Sequence, residues 1–198
     1  MPKFSEPAGP MEIVRESDAA LYIDAHREFG VLVGRRATDL LIPKAAEQGV
    51  SMAFIRDMRH WLRPSTIAEY LARRGLVGVV VNTGGPRMVA PPGGVETVIG
   101  TNPIDIGIPA GDEPVVADMA TSKRAWGAVR EARRAGESLQ RKSFYDSDGN
   151  YAIDPDDAYS AVPMGDSKGF ALGLLACRFH GNSFGVGVVH EERCYELG

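Results

Sequence analysis

Cysteine is scarce: Cys177 and Cys194 are the two in a chain of 198 residues. Two cysteines make no disulfide framework and no metal-ligand cluster, which points to reduced thiols and a cytoplasmic setting. Long apolar runs are also lacking. The apolar stretch Leu76 to Val81 holds a glycine and is far short of the roughly 20 residues that cross a bilayer as a helix, so no membrane partner is expected. Positive charge is not in excess, since 22 Lys and Arg stand against 26 Asp and Glu, for a net charge of -4. No general basic field is therefore present to hold a nucleic acid or an anionic membrane. Met1 to Pro10 is polar and broken by prolines, which argues for a loose leader rather than a secretion signal. No strand-linked G-x-G-x-x-G and no G-x-x-x-x-G-K-[ST] occurs, so neither a Rossmann pyrophosphate loop nor a P-loop is assigned. No metal site is assigned either. His180 and His190 lack partners at zinc spacing. Asp146 to Asn150 has calcium-loop composition, but with Gly149 at the sixth position Phe144 and Pro155 would fall where ligands are required.

What is present is an ordinary globular composition, 44% hydrophobic and 24% charged, long enough for one substantial core. Short strands are expected at Met11–Val14 and Ala20–Ile23. A helix follows from Gly30 to Gln48, with Leu32, Leu40, Leu41, Ala45 and Ala46 on one face. Pro43 should kink or interrupt it, and Gly49 should end it. Ser51–Ile55 reads as a strand, Pro64 and Gly75 bracket a second helix, and Leu76–Val81 is a buried strand. Strands are then expected near Val95–Ile99, Ile104–Ile108 and Pro114–Ala117. Thr121 or Ser122 should cap a helix running to Ala135 and stopped by Gly136. Asp148-Gly149 marks a hairpin-type turn, Ser167–Phe179 a further helix ended by Gly181, and Phe184–His190 a last strand. This order predicts one α/β domain over residues 11–198 with a mixed sheet, undivided by repeat or linker.

Several residues are able to carry chemistry. His60 precedes the Pro64 helix between Arg59 and Arg63. A histidine suits proton transfer near neutrality, and flanking arginines suit a substrate carboxylate. The competing reading is a surface histidine in a basic turn. Asp118 ends a strand, where it is able to orient a histidine or simply cap the next helix. Thr83-Gly84-Gly85-Pro86 follows a buried strand, and its bare backbone suits either close approach to a cofactor or a tight turn. Lys168 opens a helix, opposing the dipole, which suits an anion contact or a solvated side chain. Arg124, Arg130, Arg133, Arg134, Arg141 and Lys142 form a basic stretch that reads chiefly as a solvated face, with an NADP 2′-phosphate contact as the sharper option.

Two blocks are long and unusual: Gly100-Thr101-Asn102-Pro103-Ile104-Asp105-Ile106-Gly107-Ile108-Pro109, then Asp118-Met119-Ala120-Thr121-Ser122 with Ala125-Trp126-Gly127. Together with the Arg59-His60 turn, Tyr70-Leu71-Ala72, Pro91-Pro92-Gly93-Gly94, Asp148-Gly149, Asp154-Pro155, Pro163-Met164-Gly165 and Lys168-Gly169, they resemble the malate/L-lactate dehydrogenase family of NAD(P)-dependent oxidoreductases. The likeness runs from about Met11 to about Phe184. It implies a non-Rossmann nucleotide-binding fold with a mostly antiparallel central sheet flanked by helices. It implies reduction of small 2-oxo acids or cyclic imino acids with NADH or NADPH, by a homodimer.

By position, the resemblance makes His60 and Asp118 the catalytic pair. Arg59 and Arg63, from their place beside His60, and Thr101 and Asn102 of the first block are assigned to the substrate. The resemblance places Asn82, Thr83, Gly84, Gly85, Met119, Ala120, Thr121, Leu139, Gln140 and Lys168 toward the cofactor. The chain departs from the family in four ways. The helical segment with which family members begin, carrying a Ser-His-Gly motif and then an arginine near the substrate, has no counterpart, Leu62 replaces a glycine two residues after the active-site histidine, and Asp105 stands where an apolar or small residue is usual. The family's C-terminal segment that contacts the cofactor has no counterpart, so the chain reads as the family core with both ends trimmed. Three readings follow. One is a reductase of an organic acid or imine, in which Arg59 or Arg63 replaces the lost arginine. Another is a diverged isomerase, cyclase or lyase on the same fold. The third is a non-catalytic subunit paired with a second chain that supplies the missing helical segment.

Overall fold

A computed structural model describes residues 9–83, 86–180 and 183–190. Residues 1–8 of the expected leader, Gly84 and Gly85 of the expected cofactor loop, Gly181 and Cys194 lie outside the described residues, as do the side chains of Cys177, His180 and His190. In chain order the elements are β1 (Glu12–Glu16), β2 (Ala20–Asp24), α1 (Gly30–Gln48), β3 (Val50–Arg56), α2 (Ser65–Ala72), β4 (Leu76–Val81), β5 (Ile104–Ile108), β6 (Val115–Met119), α3 (Gly127–Ala135), β7 (Phe144–Tyr145), β8 (Ser160–Ala161), α4 (Ser167–His180) and β9 (Ser183–His190). They fall into two compact units, one of residues up to 82 with 104–118 and the C-terminal strand, the other of 83–103 and 119–181.

The first unit is built on a seven-stranded sheet in the order β1-β2-β3-β9-β4-β5-β6. β2 and β3 run parallel, while β1–β2, β3–β9, β9–β4 and β4–β5 are antiparallel, which gives the mixed, mostly antiparallel sheet expected from the resemblance. Alternation of burial along β3 and β4 follows the two-residue period of a strand with one face on the core. α1 packs on β3, and α2 packs on β4 and β5. The core they enclose includes Leu21, Ile23, Val33, Leu41, Ile55, Trp61, Leu71 and Val80.

The buried face of α1 differs from expectation. Val33, Gly34, Ala37, Thr38, Leu41 and Ala45 are buried, whereas Leu32 and Leu40 are exposed. The reason is Trp61, whose indole lies against α1. A Cβ built on Gly34 would stand 2.9 Å from the Trp61 ring, and one on Gly30 would stand 2.8 Å from it. The helix therefore turns its glycines toward Trp61, keeping Leu41 and Ala45 of the expected face in the core and leaving Leu32, Leu40 and Ala46 outside it. Nor does Pro43 interrupt α1. Both Pro43 and Asp39, whose carbonyl loses its partner, are exposed, on the side of the helix where a missing backbone hydrogen bond costs least.

The second unit has its own core of Val89, Ile99, Val129, Leu139, Phe144 and Ala161, with the two-stranded β7–β8 sheet beside it. Two expectations fail here. Val95–Ile99 is not a strand: Ile99 makes an isolated antiparallel bridge to Val89. The helix expected from Thr121 or Ser122 begins only at Gly127. Both hydroxyls act as donors to carbonyls, Thr121 to Thr101 at 3.0 Å and Ser122 to Arg124 at 2.9 Å, so neither caps a helix. Gly136 does end α3, with φ of 66°. Asp146 Oδ1 accepts from the amides of Asp148 and Asn150, which makes this loop an Asx-type turn.

Candidate functional site

In the first unit the chemistry converges on the start of α2. Strand β5 reads Ile-Asp-Ile-Gly-Ile, and the less polar positions do not face the helix. Asp105 and Gly107 are the buried positions, and the isoleucines lie on the more open face. Gly107 explains the arrangement. A Cβ there would collide with the Ala68 carbonyl of α2, so only glycine allows strand and helix to approach. Two residues earlier on the same face, Asp105 is carried under the head of α2 and is 0% exposed.

Asp118, on neighbouring β6, points its carboxylate at the same place. Ser65 donates to Asp118 Oδ2 at 2.7 Å, and Arg63 Nε donates to Ser65 Oγ at 2.9 Å and approaches Oδ2 at 3.4 Å. The Ser65 hydroxyl, and after it the Arg63 guanidinium, hold the Asp118 carboxyl below the usual carboxylate range, against burial, which pushes it up. Asp105 behaves oppositely. Both of its oxygens are buried without a full hydrogen bond, and burial, then the adjacent Asp118 carboxylate, push it up to about 7. Two neighbouring acids are thus driven apart, one ionised and one inclined to keep its proton.

His60 sits in the loop between β3 and α2. The buried Trp61 anchors that loop on α1, and the Arg59 amide donates to the Glu28 carbonyl. The Leu62 amide donates to His60 Nδ1 at 2.9 Å, which puts the proton of the neutral ring on Nε2. This needs Leu62 at a φ of 64°, a conformation better suited to glycine. His60 is exposed, and among the described residues no hydrogen bond or ion pair joins it to Asp118. Arg59 Nη2 is buried without an acceptor, a donor free to meet an anion. Asn82, at the end of β4, likewise buries Oδ1 without a donor.

In the second unit the described cofactor candidates are dispersed in character. Thr83, Thr121 and Leu139 are buried, Ala120 is half-buried, and Met119, Gln140 and Lys168 are exposed. Thr101 and Thr121 are tied together by two hydrogen bonds, the Thr121 amide and hydroxyl both donating to the Thr101 carbonyl. Asn102 is buried, and its Nδ2 donates to the Gly173 carbonyl of α4 at 2.9 Å, a structural bond at a position expected to meet substrate. Gln140 Oε1 accepts from Arg124. Arg133 engages Asp156 at 2.8 Å, which accounts for one of the basic-stretch residues as a surface pair. Among the described residues no group of three or more potential ligands gathers for a metal, and no helix is long and apolar enough to cross a membrane.

The family profile described as malate/L-lactate dehydrogenase matches residues 3–187. The chain belongs to that family. It is 36% identical over 196 residues to an L-sulfolactate dehydrogenase of Methanothermobacter thermautotrophicus, covering 94% of this chain and 57% of the relative. It is 34% identical over 165 residues to a (2R)-3-sulfolactate dehydrogenase (NADP(+)) of Chromohalobacter salexigens, covering 82% of this chain and 49% of the relative. The Δ1-piperideine-2-carboxylate reductase structure from Pseudomonas syringae pvar. tomato superposes with a TM-score of 0.83 at 27% identity, over 93% of this chain and 63% of that one. The chain thus spans roughly half to three fifths of the length of these relatives. These relatives carry dehydrogenase or reductase names, so the expected oxidoreductase family and its non-Rossmann fold hold.

Asp118 and Arg63 stand out in the sequence, whereas Ser65, hidden beside the helix-starting Pro64, does not, and Asp105 stands out there only as a departure from the family pattern. The signal was available: a charge in the strand Ile104–Ile108 at the parity shared with Gly107.

Proposed function

We propose that the protein is an NAD(P)-dependent reductase of a small 2-oxo acid or cyclic imino acid. The observation that carries this reading is the family match over residues 3–187. The groups of the first unit suit the proton side of such a reaction. Reducing a carbonyl or imine leaves an anion that must be protonated, and a positioned acid is the usual source. His60 presents an Nε2 proton at an exposed turn. Asp118 is an anchored, half-exposed carboxylate able to take up and return protons. Arg59, with its unmatched buried donor, suits a substrate carboxylate.

A reduced nicotinamide, when bound, supplies the hydride. The residues proposed to hold it are Asn82 and Thr83, then Met119 to Thr121, Leu139, Gln140 and Lys168. Asn82 supports the fit, because its buried Oδ1 lacks a donor and a carboxamide or ribose hydroxyl supplies one.

The test is to titrate NADH and NADPH separately, following reduced-nicotinamide fluorescence, and then to assay a panel of 2-oxo and cyclic imino acids. Saturable binding of either cofactor with turnover of any acid is the expected result. A folded protein that binds neither overturns the reading for this chain.

A further inference from the structure

Asp105 has no evident reason to be an acid. It lies in the middle of β5, paired opposite Val80 of β4, and it is fully enclosed. Neither oxygen has a full hydrogen bond. An ionised carboxylate left this way is costly, and the simplest relief is to keep a proton. That proton then needs an acceptor, and the adjacent Asp118 is one. Ser65 and Arg63 both bind Asp118 Oδ2, so they hold the negative charge on Asp118 and not on Asp105. The acidic and basic groups around Asp105 are few. Asp118 faces it from β6 and Arg63 from the turn before α2. The Glu69 and Tyr70 side chains of α2 are engaged elsewhere, with Arg73 and Asp39.

We infer that Asp105 and Asp118 share one proton, Asp105 as the buried holder and Asp118 as the exposed member that exchanges it with substrate or water. Asp105 is then a positioning residue: it acts only through Asp118. With its proton the pair carries one negative charge. When the shared proton passes from Asp105 to Asp118 and Asp118 gives it away, the pair carries two, and water restores the proton. The direction of the Asp105 titration agrees with this, since burial and the neighbouring anion both favour its neutral form. The catalytic use of the pair rests on the proposed function; the sharing of the proton does not.

Two measurements on the full chain test this. The first is side-chain carboxyl 13C NMR of labelled aspartate across pH in wild type, Asp105→Asn and Asp118→Asn. One carboxyl should titrate near neutrality, vanish in Asp105→Asn and shift downward in Asp118→Asn, where the neighbouring anion is gone. Absence of any aspartate titrating above about pH 5 overturns the pair, as does a neutral titration that persists in Asp105→Asn. If Asp105→Asn does not fold, the direction of the shift in Asp118→Asn decides. The second is the pH profile of kcat with a reduced nicotinamide and an accepted acid. Wild type should show an ionisation near neutrality that Asp105→Asn lacks, and an identical profile in both overturns the positioning role. A wild type without turnover sinks the functional reading alone, because the NMR arm needs no cofactor.

Discussion

Ser65 and Asp118, 53 residues apart in sequence, are joined by a 2.7 Å hydrogen bond from Oγ to Oδ2 that ties the start of α2 to β6. The bond depresses the carboxyl's pKa, so it favours the folded state when Asp118 is ionised. Its contribution is present above the unfolded carboxylate pKa and is lost as pH falls through the lower folded value. Ser65→Ala should cost about 1 kcal/mol at neutral pH, an exposed carboxylate being partly screened. The loss should shrink below the unfolded pKa. Urea denaturation at neutral and at acid pH checks this, and an undiminished loss in acid would assign the cost to packing alone.

Asp105 works with the opposite sign. Its folded pKa is raised to about 7 from 3.8, so the folded chain binds more protons than the unfolded one between those values. Stability should therefore decline as pH rises through this window, and Asp105→Asn should remove the decline. The variant should be more stable than wild type at pH 8 by roughly 2–4 kcal/mol as an upper range, and near equal to it in acid. Denaturation midpoints at the two pH values give the answer.

Gly107→Ala should be among the most damaging single substitutions. Its Cβ would meet the backbone carbonyl of Ala68, which has no flexible end to move aside. A loss of roughly 3 kcal/mol or more is expected from forced separation of β5 and α2. Thermal unfolding reads it, and a change in melting temperature of only a degree or two would show that the strand slides freely.

Pro43→Ala should stabilise α1. The helix already runs through the position, and alanine restores an amide donor for the exposed Asp39 carbonyl. The gain should be about 1 kcal/mol, below the full propensity difference because proline also stiffens the unfolded chain. Destabilisation on denaturation would mean that the helix is bent around the proline and depends on the bend.

His60→Ala should lower kcat by roughly 100-fold or more if His60 donates or relays the proton, with cofactor affinity nearly unchanged. Steady-state kinetics alongside fluorescence titration separates the two effects. Wild-type turnover in the variant would leave the role to the carboxylate pair alone.

Much of this was legible from residue order. Leu76–Val81 and Ile104–Ile108 were read with their observed bounds, because β-rich runs bounded by glycine, proline or turn residues leave little else to form. Gly49 and Gly136 end their helices as expected, because left-handed backbone favours glycine wherever it occurs. Less legible was anything that depends on a distant partner. The hydrophobic face of α1 is legible only in part: Leu41 and Ala45 are buried as expected, but Leu32 and Leu40 are not, because periodicity counts leucines and does not see the indole of Trp61 against the helix glycines. Thr121 and Ser122 look like caps, yet their hydroxyls find carbonyls of the second unit first.

The amino-acid order by itself determined the family, the strands and helices with strong local signals, and the presence of His60, Asp118 and the arginines between which a proton and a carboxylate could be handled. Only tertiary structure decided which of these meet. Whether Asp118 caps its own segment or bonds Ser65, and whether Asp105 lies in water or under a helix, depends on the sheet order that sets β5 and β6 side by side and on the glycine that lets α2 approach. The physical reason is range. Backbone preference and capping act over a few residues and can be read along the chain. Desolvation and the field of a neighbouring charge act through space, and they set a carboxyl's chemistry only once folding has chosen its neighbours.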